Sequence, residues 1–401
     1  MIASLVLATI AFAGFSPERA QTAAVGASPD VAAARARVEQ NAAQLAVSRD
    51  LLFPSFAANY AQVPQGNPPG PQIISRLVTV GLQTTITDFL AYGQSVRAGV
   101  LALTAARADA DVAVRGERIK TIGLYYDALK ARAIAEARDR ALALAVTSRD
   151  AAQTRLRAGD APRLDLLRAE VAVSRATADA EAAHAADANA TEALRIETAL
   201  PPDVPLQPAN VSDPPPAPLD AAAATTTALG ARAEIASALA SFNAAQATRL
   251  ASLRSGFPGV IVTAGETTGT DSGVSVGAPS ITAQLTLPIG PVSHDRVRIE
   301  EGRIAEAQAR LASARRTVAL EVSAAARTSD ALQRAAIAAA RARTEAQAEL
   351  TATELGYRNG ATSSLELATA RDTYTQALVA ELSARYDAAK AAASFGLQIG
   401  R

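Results

Sequence analysis

The chain has 401 residues, no cysteine and a formal net charge of +0, and aromatic residues make up only 4% of it. The lack of cysteine excludes disulfide bonds, thiolate metal sites, cysteine nucleophiles and lipidation on an N-terminal cysteine. The balanced charge gives no indication of nucleic acid as a partner. Abundant alanine with few bulky side chains favours closely packed helices over a thick globular core.

The N-terminal segment predicts a signal peptide. Residues 1–14 are apolar, and Ala11 and Ala13 are the small residues that a signal peptidase requires. We therefore expect residues 1–13 to be removed. The segment lacks the positively charged start of a typical signal peptide, and a misassigned start codon would explain this. The alternative to a signal peptide is a frayed apolar terminus. It is shorter than a membrane-spanning helix, and no later apolar stretch reaches that length.

The first half of the chain predicts a helix, a β-hairpin, a very long helix and another helix. The first helix starts at Ser28, because serine followed by proline is a typical helix start, and it runs to about residue 52. A two-residue period with a Gly- and Pro-rich turn predicts a hairpin over residues 53–88. Helical pattern without proline then covers residues 89–158, and a further helix covers residues 162–200.

The second half repeats this order. A proline-rich linker at residues 201–219 separates the halves. After the linker the pattern predicts a helix from residue 219 to 254 and a hairpin over residues 257–288. A long helix over residues 295–358 and a last helix over residues 362–400 follow.

The four predicted strands have the length and alternation of transmembrane β-strands, roughly 9–12 residues with one apolar face. Four strands cannot close a barrel, and an open edge cannot face lipid. Strands in a membrane would therefore need a barrel shared between subunits, and the alternative is two soluble hairpins packed on a helical bundle.

In the second hairpin a strand ending at Glu266 and one starting at Ser280 leave a polar loop with four glycines, Gly265, Gly269, Gly273 and Gly277.

An internal repeat relates the two halves. Residues 157–166, the first tip, and residues 358–367, the second tip, share a glycine and a Leu-acid-Leu motif 201 positions apart. The match predicts two copies of one structural unit, at residues 28–200 and 220–401. The two shorter helices of each copy would stack along its long helix and give a rod on the order of 100 Å long.

This organisation resembles the TolC family of outer-membrane efflux and secretion channels. The resemblance rests on the duplicated tips, the paired hairpins, the alanine-rich helices and the closing Phe395-Gly396-Leu397, and it covers nearly all of the chain after the signal peptide. It implies a mainly α fold with membrane β: a homotrimer with a 12-stranded β-barrel in outer-membrane lipid and a long α-helical barrel in the periplasm. It also implies a passive exit duct for small molecules or proteins in tripartite efflux or type I secretion, joined to an inner-membrane pump by a periplasmic adaptor.

The resemblance implies roles for residues of the two tips. In better-known members a tyrosine and an arginine of the second tip bond to an acid of the first, and a ring of acids lines the pore constriction. By motif position, Tyr357 matches the tyrosine, Asp165 the first-tip acid and Glu366 a ring acid. Thr362 stands where the arginine would be and Thr369 where a second ring acid would be, so the closing bonds must differ here.

Two of these residues have simpler explanations. Three copies of Glu366 around a narrow pore would attract cations, which gives the hypothesis of a cation-preferring channel. Glu366 also fits a capping box with Ser363, and the two roles are compatible. Asp165 is equally explained as an acid at a helix N-terminus.

The tips are also where an adaptor would dock. The glycines of the tips are better explained as left-handed helix ends than as contact residues. The candidate contact residues are Arg157, Gly159, Asp160, Arg358, Asn359 and Gly360.

No pattern indicates an enzyme. The two histidines, His184 and His294, are far apart in the sequence, and no HExxH, CxxC or Walker motif is present, so neither a cofactor nor a metal site is predicted. Two other functions remain open, a periplasmic adaptor and a periplasmic coiled-coil scaffold without a pore. Adaptors have one hairpin per chain, and a scaffold does not explain four amphipathic strands.

Overall fold

The computed structural model describes residues 15–50, 53–65, 73–85, 88–159, 162–200, 220–254, 259–271, 274–286 and 292–400. The signal peptide and the linker predicted at residues 201–219 lie outside these ranges. The helices are α1 Pro17–Ala27, α2 Pro29–Asp50, α3 Asp88–Ala158, α4 Arg163–Thr198, α5 Ala221–Ala231, α6 Ala233–Arg254, α7 Val292–Arg358 and α8 Ser364–Gln398. The strands are β1 Ser55–Gln65, β2 Ile73–Thr85, β3 Gly259–Asp271 and β4 Val274–Thr286.

The chain forms two compact units that do not coincide with the two sequence repeats. The first unit comprises Met1–Ala32, Val112–Arg232 and Thr317–Arg401, and the second comprises Ala33–Asp111 and Ala233–Arg316. Each unit therefore draws on both halves of the sequence, and α3 and α7 run through both units. The tips lie in the first unit and the strands in the second.

Helix α1 is absent from the predicted elements. Its cap is Ser16, whose hydroxyl accepts a hydrogen bond from the Arg19 backbone N–H at 3.4 Å, and Pro17 takes the first helical position. The same serine–proline signal recurs at Ser28, where the helix was predicted to start. In the structure each serine–proline pair begins a helix, α1 at Pro17 and α2 at Pro29.

The prediction of one continuous helix from residue 219 to 254 is wrong, because the helix is interrupted at Arg232. Arg232 has extended backbone angles, φ −71° and ψ 129°, between α5 and α6. Its buried side chain donates to the Glu321 carboxylate at 2.9 Å. Ser28 interrupts α1 and α2 in the same manner and donates to Glu117 at 2.8 Å. A tertiary contact to a carboxylate on a long helix thus accompanies each break.

The core of the first unit forms around the middle of α3. Tyr125 is fully buried, and its hydroxyl donates to the Phe15 backbone carbonyl at 2.9 Å. Ile122, Leu129 and Leu194 pack in the same cluster. The chain segment that follows the predicted signal peptide is therefore part of this core.

Ion pairs flank this core and use every lysine of the chain. Lys130 contacts Asp387 at 2.8 Å, and Lys390 contacts Asp127 at 2.7 Å, so two reciprocal pairs join α3 to α8. Lys120 contacts Glu197 of α4 at 2.5 Å. The sequence has no other lysine.

In the second unit the four strands form one antiparallel sheet in the order β1-β2-β3-β4. The β2–β3 pairing joins the hairpins of the two repeats and places Gly81 opposite Gly265. A Cβ atom on Gly81 would lie 2.5 Å from the Ala264 carbonyl oxygen. Glycine is therefore needed where these two backbones approach.

The polar loop predicted from residue 265 to 277 is wrong. Gly265 and Gly269 lie within β3, and Gly277 lies within β4. Their register continues to the pair Asp271 and Val274. Gly265 and Gly269 lie where the backbone of β3 closely approaches that of β2, a use of glycine that sequence pattern alone does not distinguish from a loop. Gly273 lies outside the described residues.

The two faces of the sheet differ in chemistry. A row of apolar side chains crosses all four strands through the register partners Phe56, Leu82, Ala264 and Ile281. All four are exposed in the single chain, Phe56 by 72% and Ile281 by 81%. The opposite face has a chain of hydroxyls, in which Thr79 and Thr267 lie 2.9 Å apart and Thr267 and Ser280 lie 2.9 Å apart.

Candidate functional site

The tips are two tight turns that each contain a left-handed glycine. Gly159 follows α3 with φ 82°, and Gly360 follows α7 with φ 73°. Among the described residues, no heavy atom lies within 4 Å of a Cβ atom built on either one. The backbone conformation is therefore the reason that these positions need glycine, since other residues are strained at positive φ.

Tyr357 bonds to an arginine of the first repeat that the sequence analysis did not single out. Its phenol oxygen accepts a hydrogen bond from Arg155 Nη1 at 2.5 Å, and the Arg155 guanidinium lies 5.2 Å from the centre of the Tyr357 ring. The contact joins the end of α3 to the end of α7. An arginine two positions before the first tip gives no motif, and only the fold brings it to the tyrosine.

Asp165 bonds across the repeats as well, but to Ser364. Asp165 Oδ1 accepts a hydrogen bond from Ser364 Oγ at 2.7 Å, and Arg168 lies 3.7 Å away on the same helix. Tyr357 and Asp165 form no direct bond in the described structure. The tyrosine and the acid thus take separate partners, and both contacts hold the first repeat against the second.

Glu366 forms the capping box of α8. The Ser363 hydroxyl accepts from the Glu366 backbone N–H at 3.2 Å, and the Glu366 carboxylate accepts from the Ser363 backbone N–H at 2.6 Å. These bonds to Ser363 lower the pKa of Glu366 below its ordinary value. The side chain is fully exposed in the single chain, so its carboxylate is charged and available at neutral pH.

A third bridge between the repeats lies further along α8. Arg371 Nη1 donates to Ser148 Oγ of α3 at 2.5 Å, and its Nη2 lies 3.4 Å from Glu354 of α7. Glu170 occupies the matching place in the first repeat, so the sequence repeat gives no indication of this arginine.

The candidate adaptor-contact residues are exposed where the structure describes them. Arg157, Arg358 and Asn359 are exposed, and Asp160 lies outside the described residues. Exposed leucines lie close to them in the sequence: Leu164, Leu167, Leu355 and Leu365 each expose 47–61% of their surface. The tips therefore combine exposed arginines with an apolar surface, a combination typical of protein-binding surfaces.

In the described part of the chain, no helix has the length and apolarity needed to cross a membrane. Among the same residues, no three His, Asp or Glu side chains converge in a way that could hold a metal ion.

Comparison with known proteins finds a family model that is similar to the second half of the chain. Residues 224–400 match the family model for outer membrane efflux proteins. No curated protein matches the sequence.

Solved structures give the fold of the whole chain. A membrane protein from Pseudomonas aeruginosa aligns with a TM-score of 0.83 at 20% identity, covering 96% of this chain and 90% of its own. The CmeC outer membrane channel of Campylobacter jejuni aligns with a TM-score of 0.81 at 18% identity, covering 96% and 85%. The MtrE outer membrane channel of Neisseria gonorrhoeae, solved in its open state, aligns with a TM-score of 0.77 at 22% identity, covering 96% and 88%. The TolC-family fold that the sequence predicted is confirmed.

Proposed function

We propose that three copies of this chain form an outer-membrane channel of a tripartite efflux system, a passive exit duct across the periplasm and the outer membrane. The observation that carries the proposal is the four-stranded sheet. Its apolar row through Phe56 and Ile281 suits contact with lipid, and its hydroxyl face suits a wet barrel interior. The edge strands β1 and β4 would pair between copies and complete a barrel of 12 strands.

The helical part of the molecule supports a duct that continues beyond the membrane. The helices α3 and α7 have 71 and 67 residues, and alanine-rich surfaces allow helices of neighbouring copies to pack closely. The tips at their ends expose arginines and leucines to which a periplasmic adaptor can bind. The adaptor would connect the channel to an inner-membrane pump.

The direct test is planar-bilayer conductance of detergent-purified protein, together with electrophoresis of unheated samples in SDS. We expect an SDS-resistant trimer and discrete channels. Substitution of Leu82→Asp, in the centre of the apolar row, should abolish insertion because a charged side chain on the lipid-facing side of a strand is destabilising near the bilayer centre. The matched control is Asn59→Asp, a charge on the hydroxyl face, which should insert normally.

Two results would contradict the proposal. A folded trimer that never conducts, even after the Arg155 and Tyr357 contact is removed, would favour a scaffold without a pore. Equal insertion of the Leu82→Asp and Asn59→Asp variants would show that the apolar row does not face lipid.

A further inference from the structure

The apolar face of the sheet ends at a polar border near the strand ends that are farther along the chain from α2 and α3. Every second side chain of a strand lies on the same face, so each member of the apolar row can be followed outward along its own strand. On each strand a polar residue or a glycine interrupts the apolar and aromatic side chains of this face. These residues, which we call the outer border, are Gln62 on β1, Arg76 on β2, Glu266 on β3 and Gly277 on β4.

The outer border runs obliquely across the strand register. Its distance from the apolar row is six positions from Phe56 to Gln62 and from Leu82 to Arg76, two from Ala264 to Glu266 and four from Ile281 to Gly277. The distance thus falls by about one residue per strand on average. Strands about 4.8 Å apart and tilted by about 40° reach a given depth about 4 Å, or one residue, apart along neighbouring strands. The slope of the border is therefore the one that tilted strands need where they leave a membrane.

The depth of Arg76 matches the headgroup level of a bilayer. Six residues of strand span about 20 Å, and a tilt of about 40° converts this to about 15 Å along the membrane normal. Half of a hydrocarbon core is also about 15 Å thick. With Leu82 near the bilayer centre, as the proposed channel requires, Arg76 lies where acyl chains end and lipid headgroups begin.

Arg76 and Glu266 are the charged residues of the border, and neither is neutralised by the other. Both side chains are exposed, and neither forms a hydrogen bond or an ion pair with another residue in the described part of the chain. Glu266 lies opposite Val80, four positions from Arg76. The two are therefore about 13 Å apart along the strands, which is beyond the distance of an ion pair. The guanidinium of Arg76 is thus available to an anion from outside the chain.

Tyr60 and Gln62 add hydrogen-bonding groups beside Arg76. Gln62 is the register partner of Arg76, and Tyr60, which lies opposite Val78, is its diagonal neighbour on the same face. Diagonal neighbours are about 7–8 Å apart, within reach of long side chains. The Tyr60 hydroxyl accepts a hydrogen bond from Gln62 Nε2 at 2.5 Å, and its own proton is left for another acceptor. The guanidinium and the phenol can therefore donate to one bound group.

We propose that Arg76 and Tyr60 bind the phosphate group of a membrane lipid at the outer border. This inference rests on the proposed channel, because it needs the apolar face to contact acyl chains. The arginine fork binds phosphate with two hydrogen bonds, and tyrosine is enriched where membranes meet water. A lipid is favoured over free phosphate because the exposed Val78 and Val80 continue from Arg76 towards the apolar row and offer a surface for an acyl chain.

The test compares two lipids that differ only in a phosphate group, dioleoyl phosphatidic acid and dioleoylglycerol, by native mass spectrometry of the detergent-purified full chain. We expect phosphatidic acid to be retained roughly five-fold more than dioleoylglycerol. Arg76→Gln should abolish this preference, and Arg76→Lys should keep part of it because the charge remains without the fork. Tyr60→Phe should reduce the preference less than Arg76→Gln does. The control is Arg140→Gln, an exposed arginine of α3 in the first unit, which should change nothing.

A second measurement tests the slope of the border. Because the chain has no cysteine, a single cysteine can carry a nitroxide label, and its accessibility to oxygen and to a polar nickel chelate gives its depth in phosphatidylcholine vesicles. Ala58 and Glu266 flank Val80 in one register row, two strands apart. Tilt should place the label of Glu266→Cys about 6 Å closer to the headgroups than that of Ala58→Cys. Leu82→Cys gives the reference depth in the hydrocarbon core.

Four results would overturn the inference. Equal retention of both lipids by the unmodified chain would leave Arg76 to a protein partner, and a preference that survives Arg76→Gln would exclude this arginine. Displacement of phosphatidic acid by inorganic phosphate would identify a site for free anions. Equal depths of the Ala58→Cys and Glu266→Cys labels would remove the oblique border. The proposed channel survives all four if the Leu82→Cys label lies in the hydrocarbon core, whereas a Leu82→Cys label in water would refute the channel and this inference together.

Discussion

Arg155 and Tyr357 make a contact that joins the ends of the two longest helices through both a hydrogen bond and a cation–π interaction. Together with the bond between Ser364 and Asp165, it ties the first repeat to the second at the tips. In a channel that opens by separating these helices, such contacts would hold the closed arrangement. The arginine thus comes from the first repeat, whereas the family resemblance implied one in the second tip.

The two components of this contact can be separated. Tyr357→Phe removes the hydrogen bond and keeps the ring, so it should destabilise the tip by about 1 kcal/mol, while Arg155→Gln should cost more because both components are lost. Hydrogen exchange of the tip amides should rise about five-fold in the first variant and further in the second. Channel conductance should rise in the same order. The control Arg157→Gln alters an exposed neighbour, and an equal effect from it would refute the assignment.

The roles of Glu366 in capping and in ion selectivity can also be separated. Glutamine can complete a capping box, so Glu366→Gln should leave the stability of α8 nearly unchanged and reduce cation preference. Ser363→Ala should do the opposite and cost about 1 kcal/mol of helix stability. The reversal potential in a salt gradient measures selectivity, and circular dichroism during denaturation measures stability. If both variants left the reversal potential unchanged, Glu366 would have only its structural role.

The same carboxylate gives a pH dependence with a defined sign. Because bonds to Ser363 lower the pKa of Glu366 in the folded state, the part of its capping contribution that depends on the negative charge is fully present at neutral pH and is lost as the pH falls through the folded-state pKa. Cation preference should disappear over the same acidic range as the ring becomes neutral. A reversal potential that stays constant while acid titration removes this capping contribution would contradict this expectation.

Glu117 predicts the opposite pH dependence. Burial, followed by the hydrogen bond with Glu197, raises the pKa of Glu117, so its ionisation costs stability as the pH rises through that raised pKa. Glu117→Gln mimics the protonated acid and should raise Tm at pH 8 by an amount on the order of a degree, with a smaller gain at pH 5. Glu136→Gln, on the exposed surface of the same helix, is the control. A gain that does not depend on pH would indicate better packing instead.

The exposed arginines of the tips give a prediction about the adaptor. Reversing their charge with the double substitution Arg157→Glu and Arg358→Glu should weaken drug efflux in cells that depend on this channel, without lowering the yield of SDS-resistant trimer. Both side chains are exposed, so the fold should tolerate the change. Normal drug resistance in the double variant would count against docking at these arginines.

The fold class was predictable because each part of it has a local signal. Proline-free helical pattern marks α3 and α7, and alternation marks the strands. The break at Arg232 had no such signal, because it depends on Glu321, a residue 89 positions away. The Arg155 contact could not be predicted for the same reason. Gly265 and Gly269 of β3 resembled a loop because β2, the strand that their backbones approach, is distant in sequence. The roles of Tyr357, Asp165 and Glu366 in a pore remain predictions.

The ion-paired lysines have a practical consequence for labelling. Lys120, Lys130 and Lys390 are the only side-chain amines in the chain, and all three lie in the first unit within 3 Å of a carboxylate. Amine-reactive dyes and cross-linkers will therefore not react with side chains of the tips or the sheet, because neither contains a lysine. A fluorophore introduced through this chemistry would report on one small region around the core of α3. Because the chain has no native cysteine, a cysteine introduced at a tip can be labelled selectively with a thiol-reactive dye.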